Sequence, residues 1–177
     1  LLESGVHFGH NVRRWNPKME QYIFGVRNNI HIFDLRITVE AINSALVKLH
    51  ETVKKSGKVL FVGTKKQCAD VVRDLAMINN NFFVNKRWLG GTLTNWKTIS
   101  NSINRLNEVE VFLNDPSLTN SISKKELLEL SREKNKLEMN IGGIKNLNGK
   151  PDLIIIFDVL KDKLAVLEAK KLGIPII

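Results

Sequence analysis

The segment with the strongest chemical character is residues 84–96, Val-Asn-Lys-Arg-Trp-Leu-Gly-Gly-Thr-Leu-Thr-Asn-Trp. Its cations can pair with phosphates, and its Gly-Gly step lets a backbone approach closely. Its hydroxyls and amide can reach sugar and phosphate oxygens. The residues predicted to contact RNA here are Lys86, Arg87, Thr92, Thr94 and Asn95. The alternative is an ordinary strand-to-helix loop in which Thr94 or Asn95 caps the following helix.

A second segment, residues 13–18, repeats that composition as Arg-Arg-Trp-Asn-Pro-Lys. Two such segments in one chain favour RNA contact more strongly than either segment alone. The indole has two interpretations, because an exposed Trp can stack on a base whereas a buried one only anchors its loop. The residues predicted to contact RNA here are Arg13, Arg14, Trp15 and Lys18.

A third candidate is Gly63-Thr64-Lys65-Lys66-Gln67, which follows an apolar run and precedes a predicted helix. α/β proteins bind phosphates at such positions. The order Gly-Thr-Lys does not match the P-loop, and the three-glycine dinucleotide fingerprint is absent. We therefore predict that Lys65 and Lys66 contact RNA phosphates, with a nucleotide-binding enzyme as the rival interpretation.

The sequence gives little support for metal binding or catalysis. His7 and His10 could form a metal site with Cys68 or His31, but zinc sites usually show closer Cys and His pairs. Asp residues at predicted strand ends also serve as helix caps, and no nucleophile elbow or paired-acid motif accompanies them. We predict that the chain is not an enzyme and has no cofactor or small-molecule substrate.

The charge of the chain is unevenly distributed. The net charge is +9, and residues 1–100 hold 15 Lys or Arg against 7 Asp or Glu. Residues 101–177 are nearly balanced, with 12 against 11. This asymmetry favours a polyanionic partner on one face. No apolar run approaches the roughly 20 residues of a membrane helix, and one cysteine excludes an internal disulfide.

Hydrophobic periodicity predicts strands alternating with helices, and hence a mostly parallel sheet covered by helices. Residues 4–18 are predicted to be a loop, and Asn28-Asn29 a turn between two strands. The predicted strands are 21–26, 30–35, 59–62, 82–85 and 153–157, with a further strand starting at 174. The predicted helices are 38–55 with Thr38 as its N-cap, 66–78, 96–113, 123–140 and 162–172.

The two long helices near the middle of the chain form a predicted antiparallel hairpin. The first has apolar residues at Ile99, Ile103, Leu106, Val109 and Leu113 and ends at Asp115-Pro116. The second begins with Ser-Lys-Lys-Glu at 123–126, the pattern of a capping box. Its apolar positions fit a coiled-coil seam interrupted by Lys134.

Several motifs in series resemble one family. They are Gly5-Val6-His7-Phe8-Gly9-His10, Arg13-Arg14-Trp15-Asn16-Pro17-Lys18-Met19, Phe61-Val62-Gly63-Thr64-Lys65-Lys66-Gln67 and Arg87-Trp88-Leu89-Gly90-Gly91-Thr92-Leu93-Thr94-Asn95. Gly142-Gly143-Ile144, Pro151-Asp152-Leu153 and the run from Glu168 to Pro175 continue the series. Across essentially the whole chain the sequence resembles ribosomal protein S2 of the bacterial and organellar type.

The resemblance implies a flavodoxin-like three-layer α/β/α sandwich, formed by residues 1–95 and 143–177, with a coiled-coil hairpin inserted at 96–142. It also implies a structural role in the small ribosomal subunit, in a mitochondrion or the bacterial cytoplasm. The expected partners are small-subunit rRNA and other small-subunit ribosomal proteins, with no membrane. The chain departs from the family pattern at Asn28-Asn29, where Asn-Gly is more usual, and at Cys68, where Ala is common.

Overall fold

The computed structural model of this chain describes residues 1–119 and 122–177. The described residues form two compact units, Leu1–Glu51 and Thr52–Ile177. Among the helices of the described ranges, none combines the length and the apolar character needed to cross a membrane.

The first unit contains an antiparallel sheet of three strands in the order β1-β3-β2. The strands are β1 (Phe8–Asn11), β2 (Ile23–Arg27) and β3 (Ile30–Phe33). Asn28 and Asn29 join β2 to β3 with φ values of 50° and 59°, a left-handed conformation that Asn tolerates. The predicted turn is therefore confirmed.

Residues 4–18 are not the plain loop that the sequence predicts, because they contain β1 and a 3-10 helix at Val12–Arg14. A second 3-10 helix, Pro17–Tyr22, follows. The sequence of β1, Phe-Gly-His-Asn, has no apolar alternation, and this strand pairs with β3. Pairing with another strand, rather than a local pattern, defines β1.

The first helix, α1 (Leu35–Lys54), begins earlier than predicted. Thr38 is wrong as its N-cap, because Thr38 donates from its amide and its hydroxyl to the carbonyl of Asp34, inside the first turn. The carboxylate of Asp34 accepts the Arg36 amide at 2.9 Å instead. None of the residues of α1 is buried, and its apolar stripe is exposed at Val39, Ile42, Leu46 and Val53.

The second unit contains a parallel sheet in the order β5-β4-β6. The strands are β4 (Val59–Val62), β5 (Phe82–Val84) and β6 (Leu153–Ile156), and Ile176 bridges Ile154 in the parallel direction. The helices of this unit are α2 (Ala69–Ile78), α3 (Trp96–Asn114), α4 (Pro116–Thr119), α5 (Lys124–Ile141) and α6 (Lys163–Lys171). The predicted α/β class with a parallel sheet is confirmed.

The apolar runs of β4 and β6 form the centre of the core of this unit. Leu60, Leu153 and Ile154 are fully buried, as the continuous apolar character of parallel strands predicts. The chain passes from β4 to β5 on one side and then to β6 on the other side of β4. The carboxyl ends of the strands therefore meet where the strand order reverses, a position at which open α/β sheets often bind ligands.

The two long helices form where the periodicity places them. The stripe at Ile99, Ile103, Leu106 and Val109 is buried, and α3 ends at Asp115 as predicted. The predicted capping box is also confirmed, since Ser123 and the helical residue Glu126 exchange side-chain and backbone hydrogen bonds.

The helices α3 and α5 are joined by Arg105, which donates to both carboxylate oxygens of Glu133 at 2.9 Å. The antiparallel coiled-coil geometry stays a prediction. The predicted loop between the helices contains residues 120 and 121, which lie outside the described residues. The described part of that loop includes the short helix α4, which was not predicted.

Candidate nucleic-acid interface

The loop that follows β5 is held by one carboxylate from α6. Glu168 Oε1 accepts hydrogen bonds from the Trp88 indole at 3.0 Å and from the Gly91 amide at 2.8 Å. Its Oε2 accepts from the amides of Leu93 and Thr94, at 2.9 and 3.1 Å, and from the Thr94 hydroxyl at 3.1 Å. Five donors therefore converge on a single side chain, which fixes the path of the loop. We call residues 86–95 the clamped loop.

The charge of Glu168 suits this arrangement. Burial raises the pKa of the carboxyl, while the hydrogen bonds from Trp88 and from the loop amides lower it, and the net result is a pKa below the usual value. Hydrogen bonds to the ionised form stabilise that form, so the carboxylate stays charged at neutral pH. The loop amides that face it are thus paired with a full negative charge.

The polar side chains of the clamped loop have different surroundings. Thr92 is buried, and its hydroxyl donates to the Leu89 carbonyl at 2.6 Å. Thr94 is exposed, but its hydroxyl donates to Glu168. Asn95 occupies the N-cap position of α3 without making a side-chain cap hydrogen bond, and it is exposed. Of these three residues, Asn95 has the side chain most available to an outside partner.

The cations of the clamped loop are exposed to solvent. Neither Lys86 nor Arg87 forms an ion pair within residues 1–119 and 122–177. The preceding residue, Asn85, is buried, and its side-chain Nδ2 donates to the Ala69 carbonyl at 3.0 Å. The clamped loop therefore exposes two positive charges, and the residue that precedes it is hydrogen-bonded to the start of α2.

The loop after β4 is fixed by two aspartates that follow β6. Thr64 donates its hydroxyl to Asp162 Oδ1 at 2.6 Å, and its amide lies 3.2 Å from Oδ2. Lys65 pairs with Asp158 at 2.9 Å, and this contact raises the pKa of Lys65. Backbone hydrogen bonding from Lys161 and the contact with Lys65 lower the pKa of Asp158. Lys66 is exposed.

The other predicted segment, residues 13–18, lies in the first unit and is ordered by short-range contacts. Asn11 accepts the Arg13 amide, and Asn16 accepts the Lys18 amide, each at 3.0 Å. The Trp15 indole is 46% exposed, with one face near His31 at a ring distance of 6.0 Å. Arg13, Arg14 and Lys18 are exposed and, among the residues described here, form no ion pair. This segment thus offers an accessible indole beside free cations.

The sheet brings together only part of the predicted site. Thr64, Lys86 and Arg87 line one pocket at the carboxyl ends of the parallel strands. Residues 13–18 belong to the other unit, which is described by itself. Sequence reasoning missed Glu168, Asp162 and Lys161 as parts of the site. Each is an ordinary charged residue in or near a surface helix, and a single sequence contains no signal of its distant partners.

Among the described residues, no three His, Cys, Asp or Glu side chains are grouped closely enough to hold a metal ion. His7 Nδ1 is buried and has no hydrogen-bond partner within the described residues. Both ring nitrogens of His31 are also buried and have no hydrogen-bond partner there.

Comparison with other proteins gives a consistent result. The sequence profile of the family described as Ribosomal protein S2 matches residues 1–177. The chain is 58% identical over 176 residues to the small ribosomal subunit protein uS2 of Methylobacterium nodulans, covering 99% of this chain and 50% of that protein. The protein of the same name from Agrobacterium fabrum is 54% identical over 177 residues, covering 100% of this chain and 69% of that one.

A third relative, the small ribosomal subunit protein uS2 of Rhodopseudomonas palustris, is 57% identical over 176 residues. This match covers 99% of the chain and 53% of the relative. The chain therefore spans about half the length of two of these three relatives, and all three come from bacteria.

Proposed function

Because the chain belongs to the ribosomal protein S2 family, we propose that it is a structural constituent of the small ribosomal subunit. In this role it binds small-subunit rRNA and neighbouring ribosomal proteins, supports assembly and translation, and catalyses no reaction. The observation that carries the proposal is the family match over all 177 residues. The bacterial relatives favour the ribosome of a bacterial cytoplasm, with a mitochondrial ribosome as the alternative.

The residues predicted to bind RNA have different proposed roles. Arg13, Arg14, Lys18, Lys66, Lys86 and Arg87 contact backbone phosphates directly, because their charges are exposed and phosphate contacts dominate RNA affinity. Trp15 stacks on a base or sugar, and Asn95 adds a polar contact. Lys65 contributes less, because it already pairs with Asp158. Thr92 and Thr94 support the interface from within, through their hydrogen bonds to Leu89 and Glu168.

We further propose the finer architecture that the family resemblance implies. Residues 1–95 and 143–177 form a flavodoxin-like three-layer sandwich, and residues 96–142 form an inserted antiparallel coiled coil. The buried stripe of α3, the capping box of α5 and the Arg105–Glu133 contact support the pairing of the two helices. This coiled coil contacts rRNA or neighbouring proteins through its exposed face.

Spin-label distances test the antiparallel arrangement. Two spin-label pairs are compared in a Cys68→Ser background, one on Val111 and Leu128 and the other on Lys97 and Leu128; all three positions are exposed. The distance between the labels is expected to be shorter in the pair on Val111 and Leu128. In an antiparallel pair, the end of α3 lies beside the start of α5. A shorter distance from Lys97 to Leu128 contradicts the coiled-coil proposal.

Sedimentation tests the function itself. Cell extract is centrifuged through a gradient at moderate salt, with and without ribonuclease, and the native protein is followed by immunoblot. We expect migration with small subunits that is lost after RNA digestion. Migration as a free protein, while subunits stay intact, contradicts the proposal and favours one of two alternatives: nucleotide binding at residues 63–67, or a scaffold that captures partner proteins without RNA. Fractionation of organelles separates the cytoplasmic from the mitochondrial ribosome.

A further inference from the structure

A pocket of 380 Å³ opens at the carboxyl ends of the parallel strands. All three strand-end loops contribute to its lining. Thr64 comes from the loop after β4, Lys86, Arg87 and Trp88 from the loop after β5, and Lys161, Asp162 and Leu164 from the segment after β6. The pocket therefore lies where the strand order reverses, and residues widely separated in sequence form its wall.

The charge of the lining is strongly unbalanced. Lys86, Arg87 and Lys161 are exposed cations, and none has a carboxylate partner among the described residues. The one carboxylate of the lining, Asp162, is 3% exposed and is bound by Thr64. Asp162 is therefore engaged by the loop after β4, and the three cations of the lining have no ion-pair partner among the described residues. Like charges in one pocket repel, so an anionic ligand would relieve that repulsion.

The walls of the pocket are held in place before any ligand binds. Trp88 is 6% exposed and donates to Glu168, while Thr64 is tied to Asp162. Asp158 accepts the amides of Leu160 and Lys161 at 3.1 and 3.0 Å, which fixes the backbone that carries Lys161. A preformed pocket loses less entropy on binding than one that must be assembled. The Trp88 ring is too deeply buried to stack on a base, so charge rather than stacking selects the ligand.

We propose that this pocket binds one backbone phosphate of rRNA, which is held jointly by Lys86, Arg87 and Lys161. The inference rests on the proposed ribosomal function and deepens it, because it adds Lys161 and a defined phosphate subsite to the interface. Arg87 offers a planar fork that can bind two phosphate oxygens, and the lysines supply point charges. The pocket volume of 380 Å³ lies within the usual range of ligand pockets, about 300–1,000 Å³.

Salt-dependent binding of the full protein to small-subunit rRNA tests the proposal. The variant is Lys161→Gln, and its matched control is Lys163→Gln, an exposed lysine two residues away that does not line the pocket. Loss of one phosphate contact lowers the slope of log affinity against log salt by about one and weakens binding by about three- to tenfold. We expect both changes in Lys161→Gln and neither in Lys163→Gln. Equal behaviour of the two variants overturns the proposal.

The double variant Lys86→Gln/Arg87→Gln separates failure of the pocket from failure of the proposed function. If it weakens RNA binding while Lys161→Gln does not, RNA binding stands and the pocket inference fails. If the unsubstituted protein does not bind the RNA at all, both fail. Circular dichroism of each variant confirms that the fold is retained.

Two further measurements identify the source of the phosphate. Lysine acetylation followed by mass spectrometry is expected to show Lys161 protected in the small subunit and reactive in the free protein, with Lys163 equally reactive in both. Titrations with inorganic phosphate and adenosine monophosphate, monitored by tryptophan fluorescence, test for a free ligand. Tight saturable binding of the mononucleotide, with Lys161 unprotected in the subunit, contradicts the RNA assignment.

Discussion

Residues 13–18 and the clamped loop have the same composition but different surroundings. Both contain cations, an indole and an amide. In residues 13–18 the contacts are short in sequence, and the Trp15 indole is 46% exposed. In the clamped loop, Glu168 binds the Trp88 indole from a helix 80 residues further along the chain, and that indole is 6% exposed.

Amino-acid composition therefore predicts the kind of partner but not the role of each side chain. The cations are exposed in both segments and suit phosphates. The indoles differ, because only Trp15 can offer a ring face to a base. Trp88 instead belongs to the support that fixes Lys86 and Arg87. The two segments are therefore expected to respond differently to the same substitutions.

The largest effect is expected from Glu168→Gln. The substitution removes the charge and leaves loop donors without an adequate acceptor, so we expect the free energy of unfolding to fall by about 2–3 kcal/mol. Urea unfolding measures it. The control, Glu129→Gln, changes an exposed glutamate on α5 and is expected to leave stability within about 0.5 kcal/mol. Equal stability of the two variants would show that the loop is not clamped.

The lowered pKa of Glu168 also predicts a pH dependence. A carboxyl with a lower pKa in the folded protein stabilises the fold fully above its unfolded value, near 4.5. That contribution is lost as the pH falls through the lower folded value. We therefore expect the stability difference between the native protein and Glu168→Gln to shrink below about pH 4.5. A difference that grows with acidification contradicts the assigned direction.

The next largest effect is expected from Arg13→Gln/Arg14→Gln, and it concerns binding rather than stability. Both guanidinium groups are exposed and lack ion pairs among the described residues, so their removal leaves the fold intact. Two lost phosphate contacts are expected to lower the salt slope of rRNA binding by about two and weaken affinity by about tenfold or more. A filter-binding series across salt concentrations measures both. An unchanged slope would remove residues 13–18 from the interface.

Substitution of the two indoles separates their tasks. Trp15→Ala is expected to weaken rRNA binding by about fivefold or more, because stacking on one base contributes about 1–3 kcal/mol, with little change in stability. Trp88→Phe is expected to lower stability by about 1 kcal/mol, because it removes the donor to Glu168. Thermal unfolding and RNA binding are measured for both variants. The reverse pattern would overturn the comparison between the two segments.

The smallest effect is expected from Lys65→Gln. Lys65 is half exposed and paired with Asp158, and an exposed ion pair contributes little to stability. The free energy of unfolding is therefore expected to stay close to that of the unsubstituted protein, and rRNA affinity to fall less than in Arg13→Gln/Arg14→Gln. The matched control is Lys66→Gln, which removes an exposed neighbour without a described ion pair. A larger affinity loss for Lys65→Gln than for Lys66→Gln would contradict this ranking.

The sequence predicted the elements whose signal is local. The stripe of α3 and the capping box of α5 appear where periodicity and spacing place them, because helix formation depends on neighbours three and four residues apart. The strand β1 was missed because pairing with β3 defines it. The start of α1 was misplaced because Asp34, four residues before Thr38, supplies the first-turn contacts.

The candidate site was predictable as a composition but not as an arrangement. The positive charges of Lys86 and Arg87 are enough to predict a polyanionic partner. The burial of Thr92, by contrast, follows from a loop conformation that Glu168 imposes across 75 residues of chain. The place of Lys161 in the site could not be predicted from the sequence either, because only the parallel sheet brings its segment to the same edge as the clamped loop.

Hydroxyl-radical footprinting measures whether Trp15 contacts RNA while Trp88 only supports its loop. The native protein is oxidised free and within the purified small subunit, and each tryptophan is quantified by mass spectrometry. Trp15 is expected to be oxidised in the free protein and protected in the subunit, while Trp88 stays unreactive in both states. Equal oxidation of Trp15 in both states, or strong oxidation of Trp88 in the free protein, would contradict these roles of the two indoles.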